Sequence, residues 1–281
     1  MASSYSDKMT FLQRTSNLVS LSIVQRMFPY KASLFDRAFS TLPHFPGTAE
    51  LLSRSSLLFL NAEPLIEFPR PTLHSVIDIG GISVAGGPRP LNSSWSSLLD
   101  LRPFTVLLSF GTVAKSHLMP EEYKNNIRET FAKFPNVTFI CKYEKPEHRI
   151  SEGIDNIVEA TYIPQNDMLY DPRLSLFITH GGQGSTTEAT TAGVPLIVIP
   201  IMFDQTRNAA VITRLGSGVS LSKHGLEDGD ALEKALRDVL GNPEYKEKAR
   251  RTGQMIRDRP FTPRETFVRN MEFLARYGPL T

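Results

Sequence analysis

The sequence predicts an α/β fold built on a parallel sheet covered on both faces. Two patterns carry that expectation. From Phe104 onward, short apolar runs alternate with longer amphipathic ones. The apolar runs end in turns rich in Gly, Pro, Ser or Asn, as buried parallel strands do. The 281 residues suit one or two domains, and 41% of them are apolar, enough for real cores.

Residues 1–70 read as mostly helical. Met9, Leu12, Thr15, Leu18, Val19 and residues 22–24 are expected to face one core, continued by Phe35, Ala38 and Phe39. Leu57 to Leu60 is a strand candidate. Pro64, Pro69 and Pro71 then read as a linker, and Ser75 to Ile79 as a short strand ending at Gly80-Gly81. A Gly-, Pro- and Ser-rich loop over residues 83–97 leads into the alternating part. There, Phe104 to Phe110 is a strand and Pro120 to Phe134 a helix with Tyr123, Ile127, Phe131 and Phe134 at helical spacing. Val137–Tyr143 and Asn156–Ala160 are strands, and Tyr162 to Asp167 a loop. Leu176 to Thr179 is a strand, Thr186 to Ala192 a helix stopped by Gly193, and Val194 to Ile199 a further strand. Helices over 204–215, 231–240 and 243–256 follow. Pro263 is expected to break the chain before a last helix, residues 265–277.

Charge and cysteine content narrow the function. Thirty-one Lys and Arg against 29 Asp and Glu leave a net charge of +2, with signs interspersed, so nucleic acid is not an expected partner. A single cysteine, Cys141, excludes an internal disulfide framework. The N-terminus shows no charged n-region followed by an apolar stretch, so no signal peptide is expected, and no apolar run reaches the roughly 18 residues of a membrane span. Asn92-Ser93-Ser94 and Asn136-Val137-Thr138 match the N-glycosylation pattern, a weak pointer to a lumenal context.

In an open parallel sheet, ligands bind beyond the carboxyl ends of the strands. The turns at 109–112, 162–167, 180–185 and 200–205 all lie at such ends. In the most informative of them, Gly181, Gly182 and Gly184 follow His180 and lead into a helix. Glycine lets a backbone approach a ligand closely, and a helix opening offers free N–H groups to an anion. For His180 a phosphate contact is therefore favoured over a core histidine bonded to backbone. Glu188, one turn into the helix, either bonds a vicinal diol such as a ribose or serves as a favourable charge near the helix start. Asp204-Gln205 pairs a carboxylate with an amide, which suits sugar hydroxyls; a helix N-cap aspartate is the alternative. Tyr162 and Gln165 offer an aromatic face and an amide for a nucleobase, or simply a surface turn. The sequence has neither a lysine-bearing phosphate loop nor a metal-ligand cluster, so no metal or resident cofactor is expected. The residues alone point to a nucleotide-sugar or dinucleotide site.

SDKMTFLQR, FLNAEPLIEFPRP, LLSFGTV, YIPQNDML and FITHGGQGSTTEATTAGVPLIVIPIMFDQTRN occur in an order that resembles the UDP-glucuronosyltransferases, within the wider UDP-glycosyltransferase family and nearest its invertebrate-like branch. The likeness covers nearly the whole chain. It implies a GT-B-type fold: a Rossmann-like, parallel-sheet C-terminal domain that binds the UDP-sugar, and an acceptor-binding N-terminal domain. Residues 1–70 would be the tail of that acceptor domain with a linker, 71–262 the donor domain, and 263–281 a helix packing back on the N-terminal part. Carried over by position, Ser109 and Thr112 lie by the diphosphate or sugar. Tyr162 replaces a uracil-stacking tryptophan, and Gln165 borders base and ribose. His180 contacts phosphate beside Gly181 and Gly182, with the Gly184 and Ser185 amides at the helix start, and Glu188 holds the ribose. Asp204 and Gln205 hold the transferred sugar, with Asn208 nearby. Gly184 departs from the family's asparagine and removes a side-chain amide near the diphosphate.

The resemblance implies transfer of a hexosyl or glucuronosyl group from UDP-glucuronate or UDP-glucose to a small lipophilic acceptor, with inversion. The catalytic base belongs to an acceptor-binding half that this chain lacks, so the chain reads as a truncated product, inactive alone. A non-catalytic UDP-sugar-binding module, or regulatory partner of a full-length transferase, is the alternative. The family context places it at the endoplasmic reticulum membrane or lumen, in detoxification, with homo- or hetero-oligomers among its partners.

Overall fold

The computed structural model describes Tyr5 and residues 7–84, 87–227 and 229–280. Helix α1 (Phe11–Ala38) opens at Thr10, whose side chain accepts from the Gln13 N–H while Gln13 returns the bond. After α2 (Thr48–Ser53), strands β1 (Leu58–Leu60) and β2 (Val76–Asp78) pair in parallel as a separate two-stranded sheet. That pairing joins residues on either side of position 70. Helix α3 (Ser93–Leu99) leads into the alternating part.

There, β3 (Phe104–Ser109), α4 (Glu121–Ala132), β4 (Val137–Lys142), β5 (Ile157–Ala160), α5 (Gln165–Leu169), β6 (Leu174–Thr179), α6 (Gln183–Ala192), β7 (Leu196–Val198), α7 (Gln205–Leu215) and β8 (Gly218–Ser220) follow in turn. Three helices close the chain: α8 (Asp230–Gly241), α9 (Pro243–Arg257) and α10 (Pro263–Tyr277). Strands β3 to β8 form one sheet, in the order β5-β4-β3-β6-β7-β8, and every pair is parallel.

Alternation along the strands builds two cores. Val106, Leu108, Phe139, Cys141, Leu176 and Ile178 meet Ile127 and Phe131 of α4 and Leu232 and Leu236 of α8. Leu107, Ile140, Phe177, Leu196 and Val198 meet Leu169 of α5, Ala189 of α6 and Ile212 of α7 on the other face. Gly193 and Gly216 end α6 and α7 in the left-handed conformation that glycine adopts without strain.

The chain leaves β3 toward β4 and β5, then returns to place β6 on β3's other side. This is the switch point where the connections diverge and open a crevice.

Four expectations need correction. Residues 93–99 are helical, not loop, because the Asn92 side chain accepts from the Trp95 N–H at 3.0 Å and Leu99 is buried. Residues 165–169 are also helical, started at Pro164 and held by buried Met168 and Leu169. Pro263 starts α10 rather than breaking the chain, since Thr262 and Glu265 form a capping box around it. The expected core face of α1 is largely bare: Leu12, Leu18 and Val19 are exposed, and Ala32 alone is buried in that helix. Its apolar residues are scattered around the helix rather than gathered on one face, so it offers no stripe to bury. Strand β8 falls on Gly218-Val219-Ser220, a segment with no apolar run to announce it.

A polar joint ties the small sheet to the large one. Glu63, buried to 2% exposure, pairs with Arg259 from the segment after α9, and Arg259 also donates to the Gly80 carbonyl. Arg207 of α7 pairs with Glu67, and Arg207 and Arg214 lie over the Phe68 ring. In the same region Phe267 of α10 meets Phe59 of β1 edge-on at 4.8 Å.

Candidate functional site

The crevice at the switch point is lined by Ser109, Gly111, Thr112, Tyr162, Gln165, His180, Gly182, Gly184, Ser185 and Glu188, together with Val113, Lys142, Ile163, Asn166 and Gln183, and holds about 450 Å³. That size suits a nucleotide-sized ligand. Nine of the thirteen residues expected at the site thus share one cavity. Gly181 is buried directly beneath it, with a φ of 81° that only glycine adopts freely.

His180 follows β6, and its ring is confined between two glycines. A Cβ on Gly182 would lie 2.6 Å from Nε2, and one on Gly111 2.8 Å from Cε1. Both positions must be glycine for the imidazole to stand where it does. Thr179 Oγ1 lies 3.4 Å from Nδ1, which leaves Nε2 for a ligand. Burial, assisted by the Lys142 charge and opposed by Asp204, holds the His180 pKa below its ordinary value. The ring is therefore neutral at pH 7 and serves as a hydrogen-bond group rather than a fixed charge.

At the Tyr162 end, Gln165 Nε2 donates to Glu188 Oε2 at 2.6 Å and to Ser185 Oγ at 3.2 Å. The three side chains form one chain from α5 to α6, leaving Glu188 Oε1 for a diol. Tyr162 stands 73% exposed at the rim, its ring open to stacking. Gly184, at the first turn of α6, has open space where a Cβ would stand. Ser109 is buried and accepts from the Gly111 N–H at 3.3 Å, shaping the turn in which Thr112 is exposed.

The remaining three residues stand differently. Gln205 is buried, and its Oε1 accepts from the Ile201 and Met202 N–H groups at 2.7 and 2.8 Å, so this oxygen fixes the loop after β7. Asn208 is buried too; its Nδ2 donates to the Gly181 carbonyl at 2.8 Å and to Asp204 Oδ2 at 2.9 Å. Asp204 is exposed and stands at the N-cap position of α7, as the alternative reading expected, but its side chain makes no cap bond. Lys142 is the functional candidate that composition and spacing did not single out. Among the described residues no group of three or more His, Cys, Asp or Glu side chains is gathered as a metal site, and no helix is long and apolar enough to cross a membrane.

Comparison with known proteins gives the geometry a lineage. The family model for UDP-glucoronosyl and UDP-glucosyl transferases matches residues 1–278. The Caenorhabditis elegans relative ugt-48 is 35% identical over 229 residues, covering 80% of this chain and 44% of its own. Mouse UDP-glucuronosyltransferase 1A7 is 31% identical over 275 residues, 97% of this chain and 51% of its own. The chain spans about half the length of the curated relatives it matches. Among solved structures, UDP-glucose:anthocyanidin 3-O-glucosyltransferase in complex with UDP has a TM-score of 0.64 at 20% identity, over 79% of this chain and 54% of that one. The glycotransferase of kitacinnamycin has a TM-score of 0.59 at 17% identity, over 88% and 67%. These neighbours are GT-B glycosyltransferases, so the α/β fold expected from the sequence is theirs. With nearly every residue inside the family match, the chain belongs to the UDP-glucuronosyl and UDP-glucosyl transferase family.

Proposed function

We propose that the crevice binds a UDP-sugar and that the chain is the donor half of a UDP-glycosyltransferase. The carrying observation is the confinement of His180 Nε2 beside the opening of α6, at the switch point of a parallel sheet. In this reading the uracil stacks on Tyr162, Gln165 borders base and ribose, and Glu188 holds the ribose diol. His180 and the Gly184 and Ser185 amides meet the diphosphate. Asp204 reaches the transferred sugar, glucuronate or glucose, while Gln205 and Asn208 hold the loops that present it.

In the complete enzyme a base on the acceptor-binding half would deprotonate a hydroxyl of a small lipophilic acceptor. That oxygen attacks the anomeric carbon, the bond to the β-phosphate oxygen breaks, and UDP leaves with inversion. Negative charge grows on the β-phosphate, where each preorganised donor is worth about 3–4 kcal/mol. Residues 1–70 would complete the acceptor domain and 263–281 cover it, in an enzyme of the endoplasmic reticulum. This chain alone transfers no sugar. A second reading, a UDP-sugar-binding module, is favoured by Gly184, which offers the diphosphate a backbone amide and no side chain. Turnover of a labelled UDP-sugar by the isolated chain would contradict both readings.

UDP is expected to raise the thermal midpoint of the wild-type chain and to leave His180→Ala unmoved. A wild-type midpoint indifferent to UDP at millimolar concentration would end the nucleotide reading. Asp204→Ala should weaken UDP-sugar about tenfold, for one lost charged hydrogen bond, and leave UDP within twofold. An equal loss for both ligands in calorimetry would mean that Asp204 acts through Asn208 on the Gly181 backbone instead.

A further inference from the structure

Lys142 closes β4 and stands half-buried in the wall of the crevice. Its Nζ donates to the Gly111 carbonyl at 2.6 Å. That bond tethers the ammonium to the same glycine turn that confines the His180 ring. An ammonium has three N–H donors, so two remain. Among the described residues no carboxylate pairs with it: the crevice's Glu188 is taken by Gln165, and Asp204 by Asn208. A half-buried cation with one neutral acceptor lacks the counter-charge that such groups ordinarily find. In the orientation proposed above, the nucleotide runs from Tyr162 toward His180, which directs its diphosphate to the Gly111 turn that Lys142 braces.

We infer that Lys142 is a further binding residue for the diphosphate, its ammonium supplying a positive charge in the crevice wall beside His180. The inference rests on the nucleotide reading. It gives the site a charge-assisted contact that does not depend on α6, and so offsets what Gly184 lacks. It also gives the leaving UDP a permanent cation near the oxygen on which charge accumulates.

Calorimetry of UDP and of uridine against the wild type, Lys142→Met, Lys142→Gln and Lys142→Arg, each at low and high salt, tests it. Lys142→Met and Lys142→Gln should weaken UDP about 10- to 100-fold and leave uridine within twofold. Their UDP affinity should also fall less steeply with salt, because one cation is gone. Lys142→Arg should recover most of the affinity. Gln can still donate to Gly111, so a mere brace would survive in Lys142→Gln and not in Lys142→Met. UDP affinity unchanged in Lys142→Gln, or UDP and uridine weakened alike, would overturn the inference. A wild type that binds no UDP would overturn it together with the nucleotide reading.

Discussion

Arg259→Met loses about 3–5 kcal/mol of folding stability at neutral pH, the cost of breaking a buried ion pair from one side. The carboxylate of Glu63 is 3% exposed, and Arg259 is its partner. Its other hydrogen bond comes from the Leu65 N–H at 3.3 Å. Burial already holds the Glu63 pKa above its ordinary value, with Arg259 pulling the other way. Removing Arg259 removes that pull, so the pKa rises further. The folded protein then binds more protons than the unfolded chain in the window above the ordinary glutamate value, and stability falls as pH rises through it. The variant should therefore recover part of its deficit near pH 5, where Glu63 takes up a proton. The bond to Gly80 is lost at every pH. Urea unfolding at pH 5 and pH 8 measures the difference. An equal deficit at both would show that the charge on Glu63 is not the cause, and adding Glu63→Gln to the variant should then restore nothing.

Gly182→Ala should fold normally and weaken UDP by about 10- to 100-fold, the value of a hydrogen bond to a charged group. The Gly182 backbone has a φ of −60°, which alanine tolerates, so the substitution adds no backbone strain. What it adds is a methyl 2.6 Å from His180 Nε2, and the ring must move. Gly111→Ala should do the same and also lower the thermal midpoint, because its φ of 82° strains any residue with a Cβ. Comparing the two variants separates ring displacement from backbone strain. UDP binding at wild-type strength in Gly182→Ala would mean that the ring's position does not matter to the ligand.

The fold was largely legible because the central strands are buried on both faces and carry apolar runs, Val106–Leu108 and Leu176–Ile178 most clearly. Helix ends were legible at Gly193 and Gly216, where the chemistry is local. Some misses were local, such as the caps at Asn92 and Thr262; the others depended on distant partners. The apolar residues of α1 were expected on one face, but they are spread around the helix, and apolar content alone does not say whether another element will cover them. Val219 lies in a strand only because Leu196 to Val198 run beside it. At the site, His180 and its glycines were legible as a local cluster that now shares one cavity with Tyr162, Gln165 and Glu188. Lys142 was not, because its tether to Gly111 spans 31 residues and a lysine at a strand end resembles solvent-facing charge. The buried setting of Gln205 was hidden too. An amide beside a carboxylate looks the same whether its oxygen meets a sugar or two backbone N–H groups.

The Glu63–Arg259 joint links positions 196 residues apart. At about 5–20 residues added per second, Glu63 is made roughly 10–40 s before its counter-charge. During that interval Glu63 waits without its counter-charge, and the Arg207–Glu67 pair is the earlier tie between these parts. Shortening the chain before Arg259 would make that wait permanent.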